Sequence, residues 1–285
     1  MSIGAVDASY GEAANLRVAL LQTNPVLGTV ETNLVDLRDL LRQVRGTDLA
    51  VAPELALHGY HLARLLQEVD SLASDDPRLL TLGKYGPAVI AGFVERRRHD
   101  QYNSAAVIDA GHVQVQRKLF LPTYRTWEEG KHFKAGSRIG HFDLRGTRVG
   151  VLICNDLWQP PLPWLAVHAG AEVRVVIANS VQGRATVPVQ TAWDILIRHT
   201  AVTLQCHVVF VNRVGTENGT QFWGGSRVVG PDGEDLARLG EEPAMAQATL
   251  DLQALRVLRR QWPLLREPRL DLVGREVAVL MAEEE

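Results

Sequence analysis

Short, nearly continuous aliphatic runs alternate along the chain with longer segments of helical period. Leu16 to Gln22 (LRVALLQ), Asp48 to Ala52 (DLAVA), Pro87 to Glu95 (PAVIAGFVE), Val173 to Asn179 (VRVVIAN) and His207 to Asn212 (HVVFVN) are rich in Val, Ile, Leu and Ala, which predicts buried strands. Thr29 to Arg45 places Leu34, Leu37, Leu40, Leu41 and Val44 on one face with its charges opposite, the pattern of an amphipathic helix. Further helices are predicted over Leu62 to Glu68, Pro77 to Tyr85, Leu162 to Ala169 and Val189 to Leu204. Gln101 to Asp109 and His112 to Lys118 flank Gly111 as a hairpin, Arg138 to Leu144 and Arg148 to Cys154 are strands, and Trp127 to Gly136 is polar and irregular. The Asn218-Gly219 and Pro231-Asp232-Gly233 turns mark hairpin chemistry between Val214 and Gly233, and Ala244 to Leu252 is the last strand. Strands thus alternate with helices and also come in hairpin pairs. That combination predicts an α/β fold with mixed sheets, two of them packed together between helical layers.

Composition narrows the function classes. The chain has 285 residues, 46% hydrophobic and 22% charged, with no linker-like stretch, so a single domain is expected over residues 16–252. Residues 1–15 read as a loose lead-in. The Arg- and Leu-rich tail over 253–285, with Pro263 and Pro268, is expected to pack on a surface or a neighbouring subunit. A net charge of −3 gives no electrostatic case for nucleic acid or an anionic membrane surface. Two cysteines, Cys154 and Cys206, do not make a disulfide scaffold and suit a reducing compartment; Cys206 lies in an apolar run and reads as an inert buried thiol. No apolar run approaches the ~18 residues of a membrane span, and the N-terminus lacks the basic start and apolar centre of a signal peptide, so a cytoplasmic location is expected.

Three strand ends carry chemistry. The run VGVLI ends on Cys154, followed by Asn155 and Asp156 as turn residues; DLAVA ends in Pro53 and Glu54; HVQVQR ends on Lys118. Each has a plain reading: a lone Cys is commonly a small buried hydrophobe, and a strand-end Lys a solvated edge charge. Together they make a recognisable set. A thiol with pKa ~8.5 needs a neighbour to take its proton, a desolvated carboxylate can do so, and an ammonium stabilises both the thiolate and the oxyanion formed when a carbonyl is attacked. The N–H of Asn155, after the nucleophile, would complete an oxyanion hole. His58 and His61 have no third ligand at metal-binding spacing and read as satisfied loop histidines, so no metal site is expected there, and thiol chemistry of this kind requires neither a metal nor an organic cofactor.

PEL around Glu54, RKLFLP around Lys118 and VGVLICNDLW around Cys154 resemble the three signature segments of the nitrilase superfamily of carbon-nitrogen hydrolases, with supporting matches in LRVALLQTNP, YNSAAVI, FKAG, VNRVG and GGSRVVGPDG. The resemblance implies a four-layer α-β-β-α sandwich that assembles as a homodimer or higher homo-oligomer. It makes Cys154 the nucleophile, Glu54 the general base and acid, and Lys118 the oxyanion stabiliser. Glu129 matches the family's second glutamate, which holds the lysine, with Glu128 the neighbouring alternative. Asn155 stands where true nitrilases have Trp, which argues against nitrile cleavage. CNDLW, PELALHGY and FWGGS are most similar to the glutaminase domain of glutamine-dependent NAD synthetases, but no Gly-rich phosphate loop accompanies them, so a stand-alone hydrolase is expected. ANSVQGRATVP departs from that branch, and Arg184 within it is a candidate for binding a substrate carboxylate. The expected reaction is hydrolysis of a linear small-molecule amide to acid and ammonia through a thioester. The alternatives are hydrolysis of an N-carbamoyl or β-ureido acid, and supply of ammonia to a separate synthetase.

Overall fold

The computed structural model describes residues 13–61, 69–124, 127–184 and 186–283. The first sheet contains β1 (Asn15–Gln22), β2 (Leu49–Val51), β3 (Ala88–Arg97), β4 (Asp100–Asp109) and β5 (His112–Arg117), with β14 (Ala244–Asp251) at its edge, in the order β14-β1-β2-β3-β4-β5. The second contains β6 (His141–Leu144), β7 (Thr147–Ile153), β8 (Val173–Ala178), β9 (His207–Asn212), β12 (Arg227–Val229) and β13 (Asp235–Arg238), in the order β13-β12-β9-β8-β7-β6. A separate hairpin, β10 (Val214–Glu217) and β11 (Thr220–Trp223), turns at Asn218-Gly219.

Parallel strands need crossovers, and the amphipathic segments supply them. α1 (Val30–Gln43) joins β1 to β2; α2 (Pro77–Leu82), followed by a 3₁₀ turn over Gly83–Tyr85, precedes β3. A one-turn α3 (Glu129–His132) follows β5; α4 (Pro161–His168) joins β7 to β8, and α5 (Val189–Thr203) joins β8 to β9. The parallel trios β1-β2-β3 and β7-β8-β9 are buried on both faces, which is why their sequences are continuous aliphatic runs rather than alternating ones. Between the sheets, Val18, Leu20, Val51 and Ile90 meet Val151, Ile153, Val175 and Ile177 in one core. Leu34, Leu37 and Leu41 of α1 cover the outer face of the first sheet, and Trp193, Ile197 and Ala201 of α5 cover that of the second. The result is the α-β-β-α layering expected from the sequence. Each side chain of this kind fully buried contributes about 1.5–3 kcal/mol.

Several details correct the sequence reading. The polar stretch Trp127 to Gly136 contains α3, which turns Glu129 fully inward. β13 was not expected, because its alternation is short and charged (DLAR). The tail is helical: α6 (Leu252–Gln261) buries Leu252 and Leu255 and ties Arg256 to Glu172 at 2.7 Å, whereas α7 (Leu270–Glu283) buries none of its residues. The helix expected over 62–68 lies outside the described residues. Among the described residues, no helix is long and apolar enough to cross a membrane.

Candidate active site

The three strand-end residues converge where the two sheets meet. Glu54 follows β2, whose pairing with β3 continues past the strand end through Ala52 N to Ile90 O (2.8 Å) and Gly92 N to Pro53 O (3.0 Å). Gly92 makes the turn possible: a Cβ there would lie 2.1 Å from the Leu55 nitrogen and 2.6 Å from the Glu54 Cα. Lys118 is held at the end of β5 by its N–H to Asn103 O (2.8 Å) and its carbonyl to Gly136 N (2.7 Å). Cys154 opens a 3₁₀ turn over Cys154–Trp158 with φ +48°, a left-handed conformation that costs a non-glycine residue about 1–2 kcal/mol. Such a turn lifts the side chain off the strand end and leaves the following N–H groups without intraturn acceptors.

The charged groups form a closed, buried cluster. Lys118 Nζ donates to Glu54 Oε1 and to Glu129 Oε1, both at 2.8 Å, and all three residues are at most 1% exposed. Asn103 Nδ2 also donates to Glu54 Oε1 (2.7 Å), and the Asn179 N–H donates to Glu54 Oε2 (2.7 Å). The Tyr60 hydroxyl donates to Glu129 Oε1 at 2.6 Å. Burial disfavours the Lys118 ammonium, but the Glu129 and Glu54 carboxylates more than offset it and hold its pKa well above the ordinary value. Burial raises the pKa of Glu129, against the pull of Lys118. The Cys154 thiol is raised by burial first and by the Glu54 charge second; Lys118 and the nearby Asn179 backbone N–H pull the other way. Burial and the carboxylates thus favour the neutral thiol, while the carboxylates favour the Lys118 ammonium. Only a proton acceptor at hand can make the thiolate.

The remaining sequence candidates are placed differently. Asn155, half-buried, donates from Nδ2 to Phe120 O (3.2 Å) and accepts from the Tyr124 hydroxyl at 3.5 Å. Glu128 points to solvent and pairs with Lys131 at 2.6 Å, so of the two adjacent glutamates it is Glu129 that joins the cluster. Arg184 is exposed, in a loop bridged to Pro188, and does not join the cluster. His58 is buried, with Nδ1 accepting from the Val94 N–H (3.1 Å) and Nε2 3.2 Å from Asp70 O; burial lowers its pKa to about 4.

Sequence reasoning assigns no part in the chemistry to Tyr60, Asn103 or Asn179, and reads Asp156 only as a turn residue, although each sits in a segment already singled out for its motif. Asn179 is 3% exposed, and neither end of its carboxamide has a partner among the described residues. Beside the cluster lies a cavity of about 580 Å³ walled by Tyr60, Trp127, Val181 and Phe222, with His132 and Gln182 among its polar lining. Tyr60 belongs to both: its hydroxyl meets Glu129, and its ring packs edge-on against Trp127 and Phe222.

Residues 17–260 match the carbon-nitrogen hydrolase family. The chain belongs to that family. Among relatives of this carbon-nitrogen hydrolase, the glutamine-dependent NAD(+) synthetase of Thermotoga maritima is 33% identical over 83% of this chain. The chain spans only 42% of that synthetase's length. The 2-oxoglutaramate amidase of Bacillus subtilis is 30% identical over 81% of this chain and 88% of its own. In structure, the hydrolase superimposes on a CN-hydrolase superfamily protein from Xanthomonas campestris with a TM-score of 0.81 at 22% identity, covering 89% of this chain and 97% of that one. That likeness extends the shared fold to nearly the whole of the other protein.

Proposed function

We propose that this carbon-nitrogen hydrolase is an amidohydrolase that cleaves a linear amide to acid and ammonia through a thioester on Cys154. The single observation that carries the reading is the bond from Lys118 Nζ to both Glu54 and Glu129, made beside a thiol on a left-handed strand-end turn. Glu54 takes the Cys154 proton as sulfur attacks the carbonyl carbon. The oxyanion forms against Lys118 Nζ and the Asn155 N–H. Collapse of the tetrahedral intermediate breaks the C–N bond, and Glu54 returns the proton to the departing ammonia. Glu54 then deprotonates a water that attacks the thioester, releasing the acid and restoring the thiol. Glu129 keeps Lys118 charged and in place, and the unpaired Asn179 carboxamide is available to the substrate's amide. Losing one oxyanion donor typically costs 10²–10³-fold in rate.

The similarity to the Bacillus 2-oxoglutaramate amidase supports an amide substrate. The similarity to the Thermotoga synthetase favours a second reading, in which this chain feeds ammonia to a separate synthetase. Purified protein incubated with a panel of primary amides should release ammonia, and Cys154→Ala should abolish release while folding normally. Turnover by that variant would refute the proposal; activity that appears only with a co-purifying synthetase would favour the second reading. The free thiols support a reducing, cytoplasmic setting. The exposed apolar side chains of α7, Leu270 (56%), Val277 (49%) and Leu280 (61%) among them, support packing of the tail on a second copy of the chain. Mass photometry would test this, with truncation before Leu270 expected to weaken assembly.

A further inference from the structure

Asp156 lies two residues after the nucleophile and is fully buried. Among the described residues its carboxylate accepts three backbone N–H groups and no side chain. Oδ2 takes the N–H of Ile153 (3.1 Å), the residue before Cys154, while Oδ1 takes those of Leu119 (3.0 Å) and Phe120 (2.8 Å), the two residues after Lys118. The two segments come from different strands, β7 and β5, which lie in different sheets. No strand ladder pairs the two sheets; other polar links cross between them, such as Gln116 of β5 accepting the Gly140 N–H (2.6 Å) ahead of β6, but that bond does not reach the strand end that carries Cys154. The carboxylate is therefore a direct polar link between the strand end that carries the thiol and the one that carries the ammonium. Asn155 adds a weaker strut between the same segments, from Nδ2 to Phe120 O at 3.2 Å.

We propose that Asp156 is a positioning residue that sets the distance between the Cys154 sulfur and Lys118 Nζ by clamping the two chain segments that carry them. The inference rests on the catalytic roles given above to Cys154 and Lys118. Burial raises the Asp156 carboxyl to about 7, against the three N–H bonds and the charge of Lys118. A carboxyl kept at such cost, instead of an apolar side chain, is consistent with its being needed for alignment. The alternative is that Asp156 only satisfies these three buried N–H groups, as a stability device with no bearing on the sulfur-to-ammonium geometry.

The two differ in what an isosteric change does. Asp156→Asn keeps the shape but turns one acceptor into a donor facing N–H groups, so one end of the clamp must open. Displacements near 1 Å at a reacting pair cost about 10²-fold. For Asp156→Asn we expect a fall of about 10–100-fold in kcat for ammonia release from the best amide of the panel, with KM within threefold. With iodoacetamide as the probe, the pH midpoint of Cys154 alkylation should move upward, because Lys118 no longer lowers the thiol's pKa as effectively. Combined with Lys118→Met, the midpoint shift should vanish, since the group through which Asp156 acts is gone. Asp156→Glu, which keeps the charge but lengthens the arm, serves if Asp156→Asn fails to fold, and should show a fall in kcat of at least tenfold at constant KM. Wild-type kcat and an unmoved alkylation midpoint in a folded Asp156 variant would overturn the inference. So would midpoint shifts that add fully in the double variant. If Cys154→Ala or Lys118→Met keeps wild-type turnover, it is the catalytic reading that fails, whatever Asp156 does.

Discussion

Glu129→Gln should separate the reactivity of the thiol from the turnover of the enzyme, moving them in opposite directions. In the wild type, two carboxyl groups share one ammonium, with Lys118 Nζ 2.8 Å from each. The Glu129 charge raises the Cys154 pKa while helping to hold Lys118. Neutralising it removes a repulsion from the thiolate. At an effective dielectric of about 20, a unit charge several ångströms away contributes on the order of 2 kcal/mol, more than one pKa unit. The midpoint of Cys154 alkylation by iodoacetamide should therefore fall by about one unit, with Cys206, buried and apart, as the internal control. Turnover should fall. Lys118 loses an ionic anchor, and the Tyr60 hydroxyl loses its carboxylate acceptor, so the oxyanion donor is no longer fixed; a loss of about 10²-fold in kcat is expected. Alkylation followed by peptide mass spectrometry from pH 6 to 10, beside an ammonia assay, measures both. Unchanged turnover, or a midpoint that rises as turnover falls, would refute the electrostatic account of Glu129.

Three further outcomes follow from single groups. His58 is buried neutral with its pKa lowered from 6.5 to about 4, so the unfolded chain binds its proton first as pH falls. Stability should drop by about 3 kcal/mol between pH 6.5 and 4, and chemical denaturation should find that slope reduced in His58→Gln. Gly92→Ala should cost about 1–3 kcal/mol and most of the activity, because its Cβ would collide with the chain at Glu54 and Leu55; a variant with normal melting and normal turnover would contradict the packing described. Cys154→Gly and Cys154→Ala should both be inactive, but the glycine variant should be the more stable by about 1 kcal/mol in urea, since φ +48° costs it nothing. Equal stabilities would mean that the turn relaxes without the thiol.

The layered fold was legible because the central strands are buried on both faces. Such strands must be continuous aliphatic runs, and their ends are visible where Pro53, Lys118 and Cys154 interrupt them. What positions those residues was less legible. Glu129 lies in a polar stretch whose only outward sign of burial is the family resemblance, because the force that turns it inward is the Lys118 ammonium of another segment. Asn103 and Asn179 act from the middle and the end of strand-like runs, where an amide carries no periodicity signal. Arg184 attracted notice as a charge in a divergent loop, yet it is exposed and outside the cluster. The helices of the tail were obscured by Pro263 and Pro268, which punctuate α6 and α7 rather than prevent them.

The central claim is that the substrate's acyl group passes through Cys154. The direct measurement is intact and peptide mass spectrometry of protein quenched in acid during turnover of an amide it hydrolyses. The account predicts an added mass equal to the amide less ammonia, confined to the peptide containing Cys154, absent from Cys154→Ala, and discharged when unquenched protein is left to hydrolyse it. An adduct on Cys206 or on another residue, or steady turnover with ammonia release in Cys154→Ala, would contradict it.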